Sequence, residues 1–225
     1  MKQLPKKKIK YKIRYKNILI FLLIVYVLYF IITTALNKKI TNIYITGNIY
    51  LSDWQIIEIA SLSSYPSTLL NTCNKIEKSL EENIYIKSAK VYKKNLTEVY
   101  IEVEDNYPLF YYSNINKTIL YNFKEIDGNL NTMTIINYIP DLVYEEFKEK
   151  MQTLNFNIIK KVSEIKYDPN EVDDKRFLFT MNDGNYVYIT LDRFDSLNRY
   201  IDIVKSIGDK SGILYLDSGE YFEIK

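Results

Sequence analysis

The chain has 225 residues, 47% hydrophobic and 26% charged, with six Gly, five Pro and a single Cys. That balance excludes wholesale disorder, a collagen-like repeat and an intramolecular disulfide scaffold, and the lack of histidine removes His-based triads, imidazole metal ligands and histidine pH switches. The formal net charge of +2 is unevenly placed: Lys2, Lys6, Lys7, Lys8, Lys10, Lys12, Arg14 and Lys16 come first, and the other 22 basic residues face 28 acids, a balance of −6 that lacks the clustered positive charge a nucleic acid requires.

Residues 1–17 read as a short basic tail, and Ile18–Leu36 (ILIFLLIVYVLYFIITTAL) has no charge. Nineteen helical residues reach roughly 28 Å, enough to cross the roughly 30 Å apolar core of a bilayer once. Basic residues ahead of the run, against Lys38 and Lys39 just behind it, predict a cytoplasmic amino terminus and a body on the other side. A cleaved signal has a shorter apolar region and a small-residue cleavage site, so the segment is read as a retained anchor. Tyr26 and Tyr29 fall near its middle, on helix surface.

Thr41–Ile45 alternates as a strand into a Gly47-Asn48 turn. Ser52 or Asp53 caps a helix carrying Ile56, Ile59 and Ala60, with Trp54 adding bulk at its start. A second helix, about Thr72 to Glu82, sets Cys73, Ile76 and Leu80 on one stripe, which makes Cys73 a small core residue rather than a reactive thiol. Ile86–Lys94 and Glu98–Glu104 alternate as strands with one wet face. Strand, helix, helix, strand, strand makes a unit in which two amphipathic helices cover a three-stranded sheet, leaving edges that can accept a partner's strand.

The remainder reads as strand-rich. Leu109–Tyr112 and Ile119–Ile126 are predicted strands, the latter before an Asp127-Gly128 turn. Val143, Phe147, Met151 and Leu154 mark a helix, and Ile158–Tyr167 returns to extended structure. Phe177, Phe179 and Met181, then Val187, Ile189 and Leu191, flank Asn182-Asp183-Gly184 as a hairpin. Phe194, Leu197, Tyr200, Ile201, Val204 and Ile207 form a helical stripe ended by Gly208. Ile213–Leu216 and Tyr221–Ile224, joined by Asp217-Ser218-Gly219, make a last hairpin whose final strand is predicted to be an exposed edge.

Chemistry is hard to place. The Ser163–Lys166 Ser-x-x-Lys match falls on a strand without a Lys-Thr-Gly companion, and Glu102 with Glu104, or Asp173 with Asp174, read as solvated charge. There is no phosphate-binding glycine pattern. No catalytic, cofactor or metal residue is assigned, and neither a small-molecule substrate nor a nucleic-acid partner is expected.

The segments Ile43–Asn48 (IYITGN), Ile86–Tyr92 (IKSAKVY), Glu98–Pro108 (EVYIEVEDNYP) and Ile126–Leu130 (IDGNL), in this order with Pro140, the 182–184 hairpin and Gly212–Glu223, resemble the FtsQ/DivIB family of bacterial division proteins. The resemblance implies an α+β chain: one amino-terminal transmembrane helix at 18–36, a POTRA domain (β-α-α-β-β) at 37–107, and a mixed β domain at 108–225. It implies a non-enzymatic scaffold at the division septum, linking septal proteins and regulating peptidoglycan synthesis. Its partners would be small coiled-coil proteins of the DivIC/FtsB and FtsL type, with a septal peptidoglycan synthase as a further one. Gly47 and Asn48 would turn after the first POTRA strand, Asp127 and Gly128 would turn into the β domain, and Tyr221, Phe222, Glu223 and Ile224 would lie on the partner-binding strand. The chain departs from the family at Asn95-Leu96, where proline is frequent, and at Glu104-Asp105-Asn106, where Glu-Arg is common; it also lacks a long cytoplasmic domain and an extended carboxyl tail. A membrane-tethered POTRA translocation component and a wall hydrolase are the rival readings.

Overall fold

The computed structural model describes residues 15–208 and 210–224. Basic residues 2–14, which carry most of the orientation signal, lie outside the described residues. Helix α1 (Tyr15–Leu36) takes in Tyr15, Lys16 and Asn17 ahead of the apolar run, and none of its residues is buried by the protein. Its 22 residues reach about 33 Å, long and apolar enough to cross a membrane.

Residues 40–105 form a three-stranded sheet of β1 (Asn42–Thr46), β2 (Ile86–Lys93) and β3 (Glu98–Asp105), with β3 between a parallel β1 and an antiparallel β2. Helices α2 (Asp53–Ile59) and α3 (Cys73–Glu81) cover one face, burying Ile56, Ile76 and Leu80 against Val91, Val99, Ile101 and Val103. Ser52 starts α2 with a reciprocal capping box to Gln55, and the Thr72 hydroxyl accepts from the Lys75 amide to start α3. Gly47 is required: it has φ +87°, and a Cβ there would come within 2.2 Å of the Val103 carbonyl oxygen. Cys73 packs partly buried against this core. Trp54 does not: its side chain is 61% exposed, because it falls on the outer side of α2 while Ile56 and Ala60 face in.

The second sheet has nine strands in the order β12-β11-β10-β9-β8-β7-β4-β5-β6 among the described residues. They are β4 (Pro108–Tyr112), β5 (Lys117–Leu120), β6 (Glu125–Asp127), β7 (Thr134–Ile135), β8 (Val162–Tyr167), β9 (Arg176–Met181), β10 (Tyr186–Thr190), β11 (Gly212–Tyr215) and β12 (Tyr221–Ile224). Phe110, Phe177 and Phe179 of the sheet are fully buried, as are Phe147 of α4 (Asp141–Met151) and Phe194 and Tyr200 of the segment 191–207, which cover them. Parallel pairing of β7 to both β4 and β8 joins the antiparallel β4-β5-β6 group to the β8–β12 group, which is antiparallel except for the parallel β10–β11 pair.

Several expectations change. Ile119–Ile126 is not one strand, because Phe123 adopts φ +64° and the Leu120 amide donates back to the Lys124 carbonyl, folding it into the β5–β6 hairpin. Asp127 and Gly128 therefore turn out of β6, within the second sheet rather than at its entrance. Leu154 is buried beyond the end of α4, and Ile158 begins no strand: Phe156–Ile159 is a one-turn helix, α5, whose Ile158 and Ile159 are buried. The stripe from Phe194 to Ile207 is a 3₁₀ stretch (Leu191–Arg199) followed by α6 (Tyr200–Ile207), with Gly208 at φ +72° beyond it.

Asp105 and Asn106 have structural work. The buried Asp105 Oδ2 accepts from the amides of Ile49, Tyr50 and Leu51, fixing the loop after β1. Asn106, 1% exposed, joins the two sheets: its Nδ2 donates to the Ile84 carbonyl at 2.7 Å and its Oδ1 accepts from the Asn122 amide at 2.9 Å. Tyr50, Phe156, Tyr107 and Tyr121 pack edge-on or tilted around that joint with centroids 4.7 to 5.9 Å apart. Burial pushes the Tyr107 phenol up to about 12.

Candidate partner-binding edge

Strand β12 carries Tyr221, Phe222, Glu223 and Ile224, and in the described structure it pairs only with β11, through Tyr215↔Tyr221, Leu214↔Phe222, Ile213↔Glu223 and Gly212↔Ile224. Strand parity identifies its open groups. The Leu216 amide donates to the Tyr188 carbonyl, and β11 runs parallel to β10, so Gly212, Leu214 and Leu216 direct their main chain to β10. Ile213 and Tyr215 therefore face β12 and bond Glu223 and Tyr221, leaving the N–H and C=O groups of Phe222 and Ile224 on the outer side. The Phe222 ring packs on the core, whereas Tyr221 and Ile224 are 52% and 56% exposed.

The edge is mounted on a fixed support. Tyr200, buried in the core, donates its hydroxyl to Asp183 at 2.8 Å and accepts from Asn185 Nδ2 at 3.0 Å; Asn185 Oδ1 in turn accepts from the Gly212 amide at 2.9 Å. Burial, with the Asp183 carboxylate adding to it, pushes the Tyr200 phenol up, so it stays a donor. A Cβ at Gly212 would stand 1.9 Å from the Glu223 carbonyl oxygen, so the close approach of β12 needs glycine. At the other end Arg176 Nε donates to Asp217 at 2.7 Å and Nη1 to Asp168 at 3.1 Å, while its guanidinium lies 3.6 Å from the Tyr188 ring centre. Burial alone would raise the Asp217 carboxyl, but the bonds from Arg176 and Ser218 hold it below its ordinary value. Arg193 donates to the Gly219 carbonyl and Arg199 pairs with Glu220, tying the β11–β12 turn to the 3₁₀ stretch.

Tyr188, Tyr215 and Tyr221 occupy paired positions on neighbouring strands, and their rings stack at 5.4 and 4.5 Å. Tyr215 also donates to Glu223 at 3.0 Å. The alternation of Tyr221 with Phe222 was visible in the sequence. The support was not, since Asp183 and Asp217 read only as turn residues and no local pattern points to Arg176.

The enzymatic candidates have other engagements. Ser163 donates to the Thr180 carbonyl at 2.9 Å across β8 and β9, and Lys166 pairs with Asp168 at 2.9 Å. Glu104 pairs with Lys87 at 2.7 Å, a bond that holds its carboxyl low, and Asp173 accepts from the Lys175 amide. A cleft of about 420 Å³ between the sheets, reached by Tyr50, Phe156, Lys160 and Ser163, has no carboxylate in its lining. Among the described residues no cluster of acidic or Cys side chains is arranged to hold a metal.

Residues 38–106 match the family model for the FtsQ-type POTRA domain. Along most of its length the chain is similar to cell division protein DivIB of Bacillus subtilis (24% identity, 92% of this chain and 81% of the relative). It is likewise similar to DivIB of Bacillus cytotoxicus (27%, 91% and 83%) and of Listeria monocytogenes (26%, 99% and 85%). The solved major extracytoplasmic domain of Geobacillus stearothermophilus DivIB, in its trans isomer, overlaps 44% of this chain and 90% of its own at 20% identity and a TM-score of 0.38.

Proposed function

We propose that the chain, which is similar to the DivIB cell division proteins over most of its length and matches the FtsQ-type POTRA domain at residues 38–106, acts in cell division as a membrane-anchored, non-enzymatic scaffold whose β12 edge accepts a strand from a partner. The POTRA unit at 37–107 and the β domain at 108–225 stand outside the membrane at the septum, with the basic tail in the cytoplasm. The partners are coiled-coil proteins of the DivIC/FtsB and FtsL type, and through them the scaffold regulates septal peptidoglycan synthesis.

One observation carries the reading: the outward main-chain groups of Phe222 and Ile224 on an edge strand that nothing else covers among the described residues. Each added main-chain bond contributes about 0.5–1.5 kcal/mol, and Tyr221 with Ile224 supplies exposed side-chain surface for specificity. The test is co-purification of tagged full chain with DivIC-like and FtsL-like proteins from membranes, comparing wild type, deletion of residues 221–225, and Phe222→Pro. Proline removes one outward donor and leaves the donors bonded to β11 in place, and Phe222→Ala, which loses the same ring from the core but keeps the donor, is the control. Loss of both partners from the deletion and weakening in Phe222→Pro are expected. Full retention of both partners by the deletion would overturn the docking site.

A further inference from the structure

Among the described residues there are four sheet edges, and they are not alike. On β2 the outward amides of Ala89 and Val91 are already taken by Glu81 Oε1 at 3.2 Å and Glu77 Oε1 at 2.7 Å, reaching across from α3. β6 is three residues long and is crossed by a Lys117–Glu125 ion pair. β12 is the edge already described. β1 is five residues, Asn-Ile-Tyr-Ile-Thr, with no charge.

Parity again shows what β1 offers. Asn42 donates to the Thr97 carbonyl at 3.1 Å in the parallel β1–β3 ladder, so Asn42, Tyr44 and Thr46 bond β3, and Ile43 and Ile45 turn their N–H and C=O outward. No strand or side chain among the described residues takes these four groups. On the wet face, Tyr44, Tyr100 and Tyr92 stack across three strands at 4.6 and 5.1 Å, and the ladder stops at Tyr44, a residue 45% exposed on the edge strand. A cleft of about 260 Å³ runs beside the strand between Thr41–Tyr44, Ile57 and Tyr65.

We infer that β1 is a self-association edge, and that its occupant is β1 of a second copy of this chain, paired antiparallel about a two-fold axis through Tyr44. The open groups straddle Tyr44 symmetrically, so Ile43 meets Ile45 of the second copy and Ile45 meets Ile43, completing two fully bonded pairs. Tyr44 then faces its own counterpart in the close, non-bonded pair, and the two three-ring ladders become one continuous stack of six. Asn42 faces Thr46 and Thr41 faces Gly47, so no charge opposes a like charge. An uncharged, open edge is what natural sheets ordinarily avoid, and here the avoidance is applied to β2 and withheld from β1.

The test uses the full chain in membranes with Cys73→Ser, adding one cysteine at a time. Tyr44→Cys gives a disulfide-linked dimer on mild oxidation, because directly opposed residues bring their Cβ atoms to about 4.5–5.5 Å. Asn42→Cys and Thr46→Cys do not link alone but link when mixed. Association is then followed by sedimentation of the solubilised chain: Tyr44→Lys abolishes it, and mixing Tyr44→Lys with Tyr44→Asp restores it as a heterodimer, which a folding defect could not do. Failure of Tyr44→Cys to link, equal linking at all three positions, or a dimer indifferent to Tyr44→Lys, as contact through α1 alone would give, overturns the inference.

Discussion

Replacing Gly212 with Ala isolates the support of the β12 edge. The new carbon would sit 1.9 Å from the Glu223 carbonyl oxygen and 2.8 Å from Phe222 Cε1. The ring can turn; the carbonyl cannot, because it belongs to the ladder. Overpacking of this kind costs about 1–3 kcal/mol. Against it stand the main-chain bonds of the Ile213↔Glu223 and Tyr215↔Tyr221 pairs, about 0.5–1.5 kcal/mol each, and the Tyr215–Tyr221 stack, about 0.5–1.5 kcal/mol. The ladder outweighs the clash, so β12 stays seated but opens about 5- to 150-fold more often. Amide hydrogen exchange reads this directly. In the wild type the Tyr221 and Glu223 amides are protected and those of Phe222 and Ile224 exchange fast; in Gly212→Ala the first two lose protection by that factor, while β8–β10 keep theirs. Protection of Tyr221 and Glu223 unchanged within about twofold, or a loss spread evenly over the sheet, would refute the close-approach argument.

Tyr200→Phe removes the hydroxyl shared by Asp183 and Asn185 and leaves the buried Asn185 amide without that partner, so it lowers unfolding free energy by about 2–3 kcal/mol in chemical denaturation, with the fold retained. Asp217 has a folded-state pKa below its unfolded value, so its contribution is fully present above about pH 4 and is lost as pH falls through the lower folded value. Melting temperatures of wild type and Asp217→Asn therefore differ near neutrality and converge in acid; a constant difference down to about pH 2 would contradict the assigned Arg176 bond.

Much of the fold was legible because its signals are local. Ser52 and Thr72 announce their helices, Gly47 its turn, and the alternation of Val99, Ile101 and Val103 its buried face. What escaped depends on distant partners. β7 is two residues whose place between β4 and β8 no local pattern encodes, and the break at Phe123 follows from a non-glycine residue taking a left-handed conformation. Trp54 adds bulk at the start of α2, but helix phase, not size, decides the side it faces. For the candidate site, the period-two pattern of Tyr221–Ile224 was readable and its supports were not. Arg176 reaches Asp217 across 41 residues and Asn185 reaches Gly212 across 27, separations that only the folded chain closes. The shielding of β2 by Glu77 and Glu81 was equally hidden, since it depends on how α3 packs beside β2 and not on any local pattern.

The Asn106 joint has a mechanical consequence. One amide group is bonded to the Ile84 carbonyl on one side and the Asn122 amide on the other, inside a cluster of aromatic rings. Swivelling the large sheet on the small one would break both of these bonds and part the rings around them, so a single asparagine side chain opposes relative rotation of the two units.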